Sequence, residues 1–312
     1  MARILTLTPN PAVDVSTTTR KVEPTDKLRC SAAQVHPGGG GINVARVVAR
    51  LGGEVTAPYP AGGPTGDLLD RLLRDEGLAT VRIAIGAETR ESFSVHETST
   101  GLDWRFVLPG PVLSTAEWQA CQDRAAALAQ GCGYVVASGS LPPGVPVDGY
   151  ARLARLLAAR DVPLALDASG SALAAALEFG VALVKPSLRE LEEFTGGTLP
   201  GLADRVAACR GLVERRRARM VALSLGAEGA VLVTEHGAWH APALEVPVVS
   251  TIGAGDSFLG GLVAALARGR DPDAAFAQAI AASAAALLSA GTALCRPEDV
   301  ERLLPRVVVR AL

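Results

Sequence analysis

Residues 250–261 read STIGAGDSFLGG. A β-prone approach (Leu244, Val246, Val248, Val249) runs into Gly253-Ala254-Gly255-Asp256. The small and apolar residues from Ser257 to Leu266 then predict a helix. Glycines at 253 and 255 let the backbone come close to an anion. The first amides of the helix point outward, where unpaired N–H groups and the positive dipole end coincide. Asp256 is the odd residue in such a site, because a carboxylate repels phosphate. It needs another task there, and accepting a proton from a hydroxyl that attacks the phosphate is one. A helix N-cap, a role Asp often fills, is the competing reading.

Outward from this stretch the chain alternates apolar strand-like runs with helical segments. Runs at 3–8, 55–59, 80–85, 134–137, 164–167, 181–184, 220–225 and 230–233 are separated by helical patterns, among them 44–51, 68–77, 116–128 and 147–159. Continuous apolar strands between helices predict an α/β fold with a mostly parallel sheet covered on both faces. Ligands bind at the C-terminal ends of such strands. There the sequence places Asp14, the Ser138-Gly139-Ser140 turn, and Lys185, which leads into a helix carrying Glu190. A second glycine signal, Gly38-Gly39-Gly40-Gly41-Ile42-Asn43, enters an amphipathic helix and puts Asn43 in its first turn.

Two polar-rich strand regions, near 13–35 and 90–107, interrupt this rhythm. The first carries Lys27 and Arg29 on one side of an extended run. The second is a hairpin turning at 98–101 and flanked by Arg90 and Arg105, each of which also reads as a plain surface cation. Together they predict a small sheet acting as a lid, whose apolar face needs a partner such as a second subunit. Residues 1–312 form one domain with these segments inserted.

With 30 Lys+Arg against 32 Asp+Glu the net charge is −2, so nothing marks a nucleic-acid or membrane-surface binder. Five scattered cysteines without CxxC spacing argue against a disulfide framework or a zinc site. No signal peptide is visible at the start, and a cytoplasmic location is expected. The uncharged, alanine-rich run 274–295 reads as a helix packed inside a core, not a membrane span.

GGGGINVA at 38–45, SGSLPPG at 138–144, VKPSLRE at 184–190 and TIGAGDSFLGG at 251–261 occur together in this order. With these motifs the chain resembles the ribokinase-like family of sugar kinases over essentially its whole length. Within that family, KLRC, GGGGINVAR, PAGGPTG and FVLPG look most like the minor bacterial type of 6-phosphofructokinase. The resemblance implies a three-layer α/β/α core with a β-sheet lid, and a homodimer formed through that lid. The implied reaction is ATP-dependent phosphorylation of a phosphorylated ketohexose, fructose 6-phosphate, at its C1 hydroxyl.

Asp256 would be the base, with the Gly253, Ala254 and Gly255 amides holding the transferring phosphoryl group. Asp14, Gly39, Asn43, Gly139 and Ser140 match sugar-binding positions, and Lys27, Arg29 and Arg90 match cations for the 6-phosphate. Lys185, Ser187, Ser224, Gly226 and Gly229 match the ATP side. Glu190 matches the acidic residue that organises water around Mg²⁺, although the family's asparagine three residues earlier is Ser187 here. The backbone at Ser250, Ile252, Ala286, Ser289 and Gly291 matches a monovalent-cation site, which implies K⁺. Tagatose-6-phosphate kinase and 1-phosphofructokinase stay open as alternatives. A non-catalytic sensor would be expected to have lost Asp256 or the loop glycines. An NAD-binding oxidoreductase would need a GxGxxG turn after the first strand, and none is there.

Overall fold

The structure, a computed structural model, describes residues 2–24 and 27–312. Seven parallel strands make up most of a ten-stranded sheet, in the spatial order Ala218–Ser224, Val181–Val184, Leu164–Asp167, Cys132–Ser138, Arg3–Leu7, Val55–Ala61 and Thr80–Ala84. Beyond Ala218–Ser224 the sheet turns antiparallel through Ala230–Thr234, Gly237–Ala241 and the short Arg310–Ala311.

Alternation along each strand builds the layers. Leu5, Leu7, Val135, Ala137, Leu164 and Leu166 pack on one face beneath helices Thr115–Leu128, Gly149–Ala158, Gly170–Phe179 and Leu202–Glu214. Ile4, Val136, Ala165 and Leu183 point the other way, against helices Gly40–Arg50, Gly63–Asp75, Ala254–Leu266 and Pro272–Ala286. With a two-residue period, both faces must be apolar for the sheet to be buried on each side. This is the three-layer core expected from the sequence.

The Ala254–Leu266 helix is sandwiched between two others, and its composition follows from that. A Cβ at Gly260 would lie 2.6 Å from Val47 Cγ1, and one at Gly261 would lie 2.9 Å from the Ala282 Cβ. The two glycines therefore allow close helix packing, as does the alanine-rich face of Pro272–Ala286. Phe258 and Phe276 meet edge to face at 6.2 Å.

A separate four-stranded sheet, ordered Gln34–Gly38, Ala12–Thr19, Arg90–Glu97 and Leu102–Val107, gathers both polar-rich regions. Ala12–Thr19 pairs antiparallel with Gln34–Gly38 and parallel with Arg90–Glu97, so two segments far apart in sequence build one lid.

Three local expectations are corrected. The approach at 244–249 is not a strand; the chain there is irregular, with Pro242 just before it and Pro247 within it, neither offering an amide donor. The alanine-rich helix ends at Ala286, short of Cys295, and gives way to turns in which Gly291 has φ 52°. The N-cap of the anion-loop helix is Gly253, in the left-handed region with φ 77°, so Asp256 is not the cap. Among the described residues, no helix is long and apolar enough to cross a membrane.

Candidate active site

The C-terminal ends of the parallel strands open into a cavity of about 400 Å³ beneath the lid. Asp14 enters from the lid sheet and Asn43 from the first turn of Gly40–Arg50. Ser138, Gly139, Ser140 and Asp167 come from strand ends, and Gly253, Gly255 and Asp256 from the opposite wall. Gly39 precedes the Asn43 helix with φ 106°, and a Cβ there would lie 2.7 Å from Thr8 Cγ2. Only glycine permits that turn, which delivers Asn43 to the cavity.

Asp256 stands in the first turn of Ala254–Leu266, and its Oδ2 accepts a hydrogen bond from Asn43 Nδ2 at 2.9 Å. Burial, reinforced by the nearby Asp167 carboxylate, pushes its pKa up to about 7, against the opposing effects of the Asn43 bond and Lys185. A carboxyl tuned near neutrality exchanges a proton with little driving force lost on either side. Lys185 forms a buried ion pair with Asp167 at 3.2 Å. Burial alone would lower the lysine, but the carboxylates of Asp167, Asp256 and Glu190 outweigh it and keep it charged. Its Nζ faces the anion loop, 3.6 Å from where a Gly255 Cβ would stand.

Arg90 and Arg105 both line the lid side of the cavity, near Asp14. Arg90 donates to the carbonyls of Asn10 and Leu108, each at 3.1 Å, while its buried Nε has no partner among the described residues. Burial raises the Asp14 carboxyl above the usual range, and both arginines pull it back. Lys27 and Arg29 lie elsewhere, exposed on the segment joining the first two lid strands and outside the cavity lining.

A second cavity, of about 610 Å³, lies across the anion loop. Ser224, Gly226 and Gly229 line it, with an apolar wall from Leu244, Val246, Val248, Phe258 and Ile280. Thr251 and Gly255 border both cavities, so the loop is the partition between them. The irregular approach at 244–249 serves as this wall, where side chains on both sides of an extended run are used.

Ser187 caps helix Leu188–Thr195 through a reciprocal box: its Oγ accepts from the Glu190 amide, while Glu190 Oε2 accepts from the Ser187 amide at 2.8 Å. The serine thus takes a structural duty. Glu190 still borders the first cavity, with Oε1 uninvolved in the box. Among the described residues, no cluster of three or more His, Cys, Asp or Glu side chains could hold a metal alone. Glu190 and Asp167 fit a cation that completes its shell with water and phosphate, as Mg²⁺ does.

Ser250, Ile252 and Gly291 border a third space of about 280 Å³ between lid and core. Ser289 is buried beside them, and the Ala286 carbonyl accepts from the Ser289 amide at 3.1 Å.

In the sequence Asp167 reads only as a strand end, and Arg105 only as a flank of the hairpin. The strand-end rule would have selected Asp167. Nothing local marks Arg105, which reaches the cavity only because Leu102–Val107 pairs with Arg90–Glu97.

ATP-dependent 6-phosphofructokinase isozyme 2 of Mycobacterium tuberculosis is 47% identical over 300 residues, covering 96% of this chain and 88% of its own. The 1-phosphofructokinase of Escherichia coli K12 is 32% identical, covering 98% and 97%. Phosphofructokinase-2 of Escherichia coli solved with fructose-6-phosphate superposes with a TM-score of 0.93 at 36% identity, covering 98% and 99%. The same enzyme solved with potassium gives 0.94 at 37%, with the same coverage. Residues 10–299 match the model of the pfkB family carbohydrate kinases, and the chain belongs to that family.

Proposed function

We propose that the protein is an ATP-dependent 6-phosphofructokinase that phosphorylates the C1 hydroxyl of fructose 6-phosphate. One observation carries the reading: a polar, arginine-lined cavity and a mostly apolar cavity meet at a single anion loop, with a near-neutral carboxyl on the polar side. The sugar occupies the first cavity, held by Asp14, Gly39, Asn43, Gly139 and Ser140, with its 6-phosphate against Arg90 and Arg105. The second cavity takes the nucleotide, its base on the apolar wall and its phosphates directed to Gly253–Gly255.

Asp256 accepts the proton of the C1 hydroxyl as the hydroxyl oxygen attacks the γ-phosphorus. The bond from phosphorus to the β-bridging oxygen breaks, and ADP leaves. Little covalent chemistry is asked of the protein, so positioning and charge stabilisation dominate. The loop amides and Lys185 hold the developing negative charge. When bound with the nucleotide, Mg²⁺ supplies further charge neutralisation, and Glu190 and Asp167 are the residues that would hold it. The backbone at Ser250, Ile252, Ala286, Ser289 and Gly291 suits K⁺. Unchanged turnover in potassium-free buffer would remove that assignment.

The 32% identity to a 1-phosphofructokinase keeps a second substrate in view. Measuring kcat/KM with MgATP for fructose 6-phosphate, tagatose 6-phosphate and fructose 1-phosphate side by side separates them. Fructose 6-phosphate is expected to lead clearly; a preference for either competitor would move the substrate assignment while leaving the chemistry intact.

On one face of the lid Phe93, Trp104 and Phe106 are exposed. Apolar side chains of this size on a four-stranded sheet fit a second copy of the chain through that face. Sedimentation velocity at micromolar concentration is expected to give a dimer, and a Trp104→Glu variant a monomer. A monomeric parent protein would sink the idea.

A further inference from the structure

Arg46 is among the largest fully buried side chains of the protein, on the inward face of Gly40–Arg50. A buried guanidinium is costly unless its donors are met. Here all three nitrogens are engaged. Nε donates to Glu76 Oε2 at 2.8 Å and Nη2 to Glu76 Oε1 at 2.6 Å, a two-point fork. Nη1 is shared among the Thr292 carbonyl at 2.9 Å, the Pro37 carbonyl at 3.2 Å and Asn43 Oδ1 at 3.4 Å. Thr292 lines the sugar cavity, and Pro37 belongs to the lid strand Gln34–Gly38. One side chain therefore pins the lid root, a cavity wall and Asn43 to a common point.

The contact with Asn43 matters because an amide has two ends of opposite character. A guanidinium carries donors only, so it can accept nothing from the NH₂ end and must face Oδ1. Asn43 Nδ2 is thereby left to point at Asp256 Oδ2. Rotated the other way, the amide would set Oδ1 against the carboxylate, an oxygen–oxygen repulsion in place of a hydrogen bond. Asn43 and Arg46 are three positions apart on one helix, which puts them on one face. Glu76 comes from the far end of Gly63–Asp75, where it is the C-cap residue, and it holds the fork in place. Arg50 adds a weaker contact to the same carboxylate at 3.6 Å.

We infer that Arg46, held by Glu76, is a positioning residue that fixes the Asn43 amide toward Asp256 and so sets turnover without touching either substrate. The inference rests on the proposed role of Asp256 as the base. Two gentle variants test it. Arg46→Lys keeps the charge but cannot make the fork and reach Asn43 together, while Glu76→Gln keeps the shape and loosens the fork. A reacting group misplaced by about 1 Å can cost 10²-fold. Each variant is therefore expected to lose roughly 10- to 100-fold in kcat, with KM for MgATP within about twofold and circular dichroism unchanged.

The discriminating measurement is a double-mutant cycle on Asn43→Ala. If Arg46 acts through Asn43, Arg46→Lys costs little more in that background. Full multiplicative losses there, or kcat near the parent value in either folded single variant, would overturn the inference. If Arg46→Lys fails to fold, the same cycle with Glu76→Gln decides. Failure of the functional reading shows separately, as a parent enzyme without turnover on fructose 6-phosphate or an Asp256→Asn variant that keeps it.

Discussion

Replacing Asp256 by Asn is expected to lower kcat by about 10²- to 10⁴-fold, the range for loss of a general base, with KM for both substrates little changed. The amide is close to isosteric and can still meet Asn43, so the cavity keeps its shape. The variant is also expected to melt at a higher temperature than the parent at pH 8. Burial and Asp167 raise the folded-state pKa of Asp256 to about 7, well above the unfolded carboxyl. Between those two values the folded protein binds the proton more tightly, so the group favours folding at low pH. That contribution is lost as pH rises through about 7, and above it the buried charge is a cost. Removing the carboxyl removes this cost, and the gain should shrink steadily as the pH falls toward 5. Thermal melts across pH 5–8 with parallel activity assays check both halves; a loss of turnover accompanied by a lower melting temperature at pH 8 would point to misfolding instead.

Arg90→Met is expected to raise KM for fructose 6-phosphate by roughly 10- to 100-fold, with kcat changed only a few-fold. A hydrogen bond to a charged group contributes about 1.5–3 kcal/mol, and each 1.4 kcal/mol is tenfold. The Asn10 and Leu108 carbonyls fix the side chain with one N–H from each Nη, which leaves further guanidinium donors at the cavity for the phosphate. Unphosphorylated fructose, turned over slowly, should be nearly indifferent to the change. An equal loss with both sugars would mean that Arg90 supports the lid without reading the phosphate.

Much of this was legible in the sequence because the signals were local. Ile4, Leu5 and Leu7 divide between two cores simply by alternation, and the strand-end rule places Ser140 and Lys185 at one rim. Gly39 and Gly253 announce backbone turns that only glycine makes easily. What escaped depends on pairings between distant segments. Arg105 reaches the cavity through strand pairing, and Glu76 meets Arg46 across two helices, 30 residues apart. The run at 244–249 misled because an apolar cavity wall and a strand share a composition; Pro242 and Pro247 were the sign that it could not pair. The family resemblance sets Lys27 and Arg29 beside Arg90 as cations for the 6-phosphate, and in the fold both are exposed outside the lining of this cavity.

A single proton moving from the sugar to Asp256 is the centre of the mechanism. Its most direct test is the pH dependence of kcat/KM for fructose 6-phosphate at saturating MgATP, from pH 5 to 9. An acid limb is expected near pH 7, with kcat/KM falling about tenfold per pH unit below it as the carboxyl becomes protonated. A profile flat from pH 5 to 7 would contradict it, because the base would then have to be a group already ionised in that range.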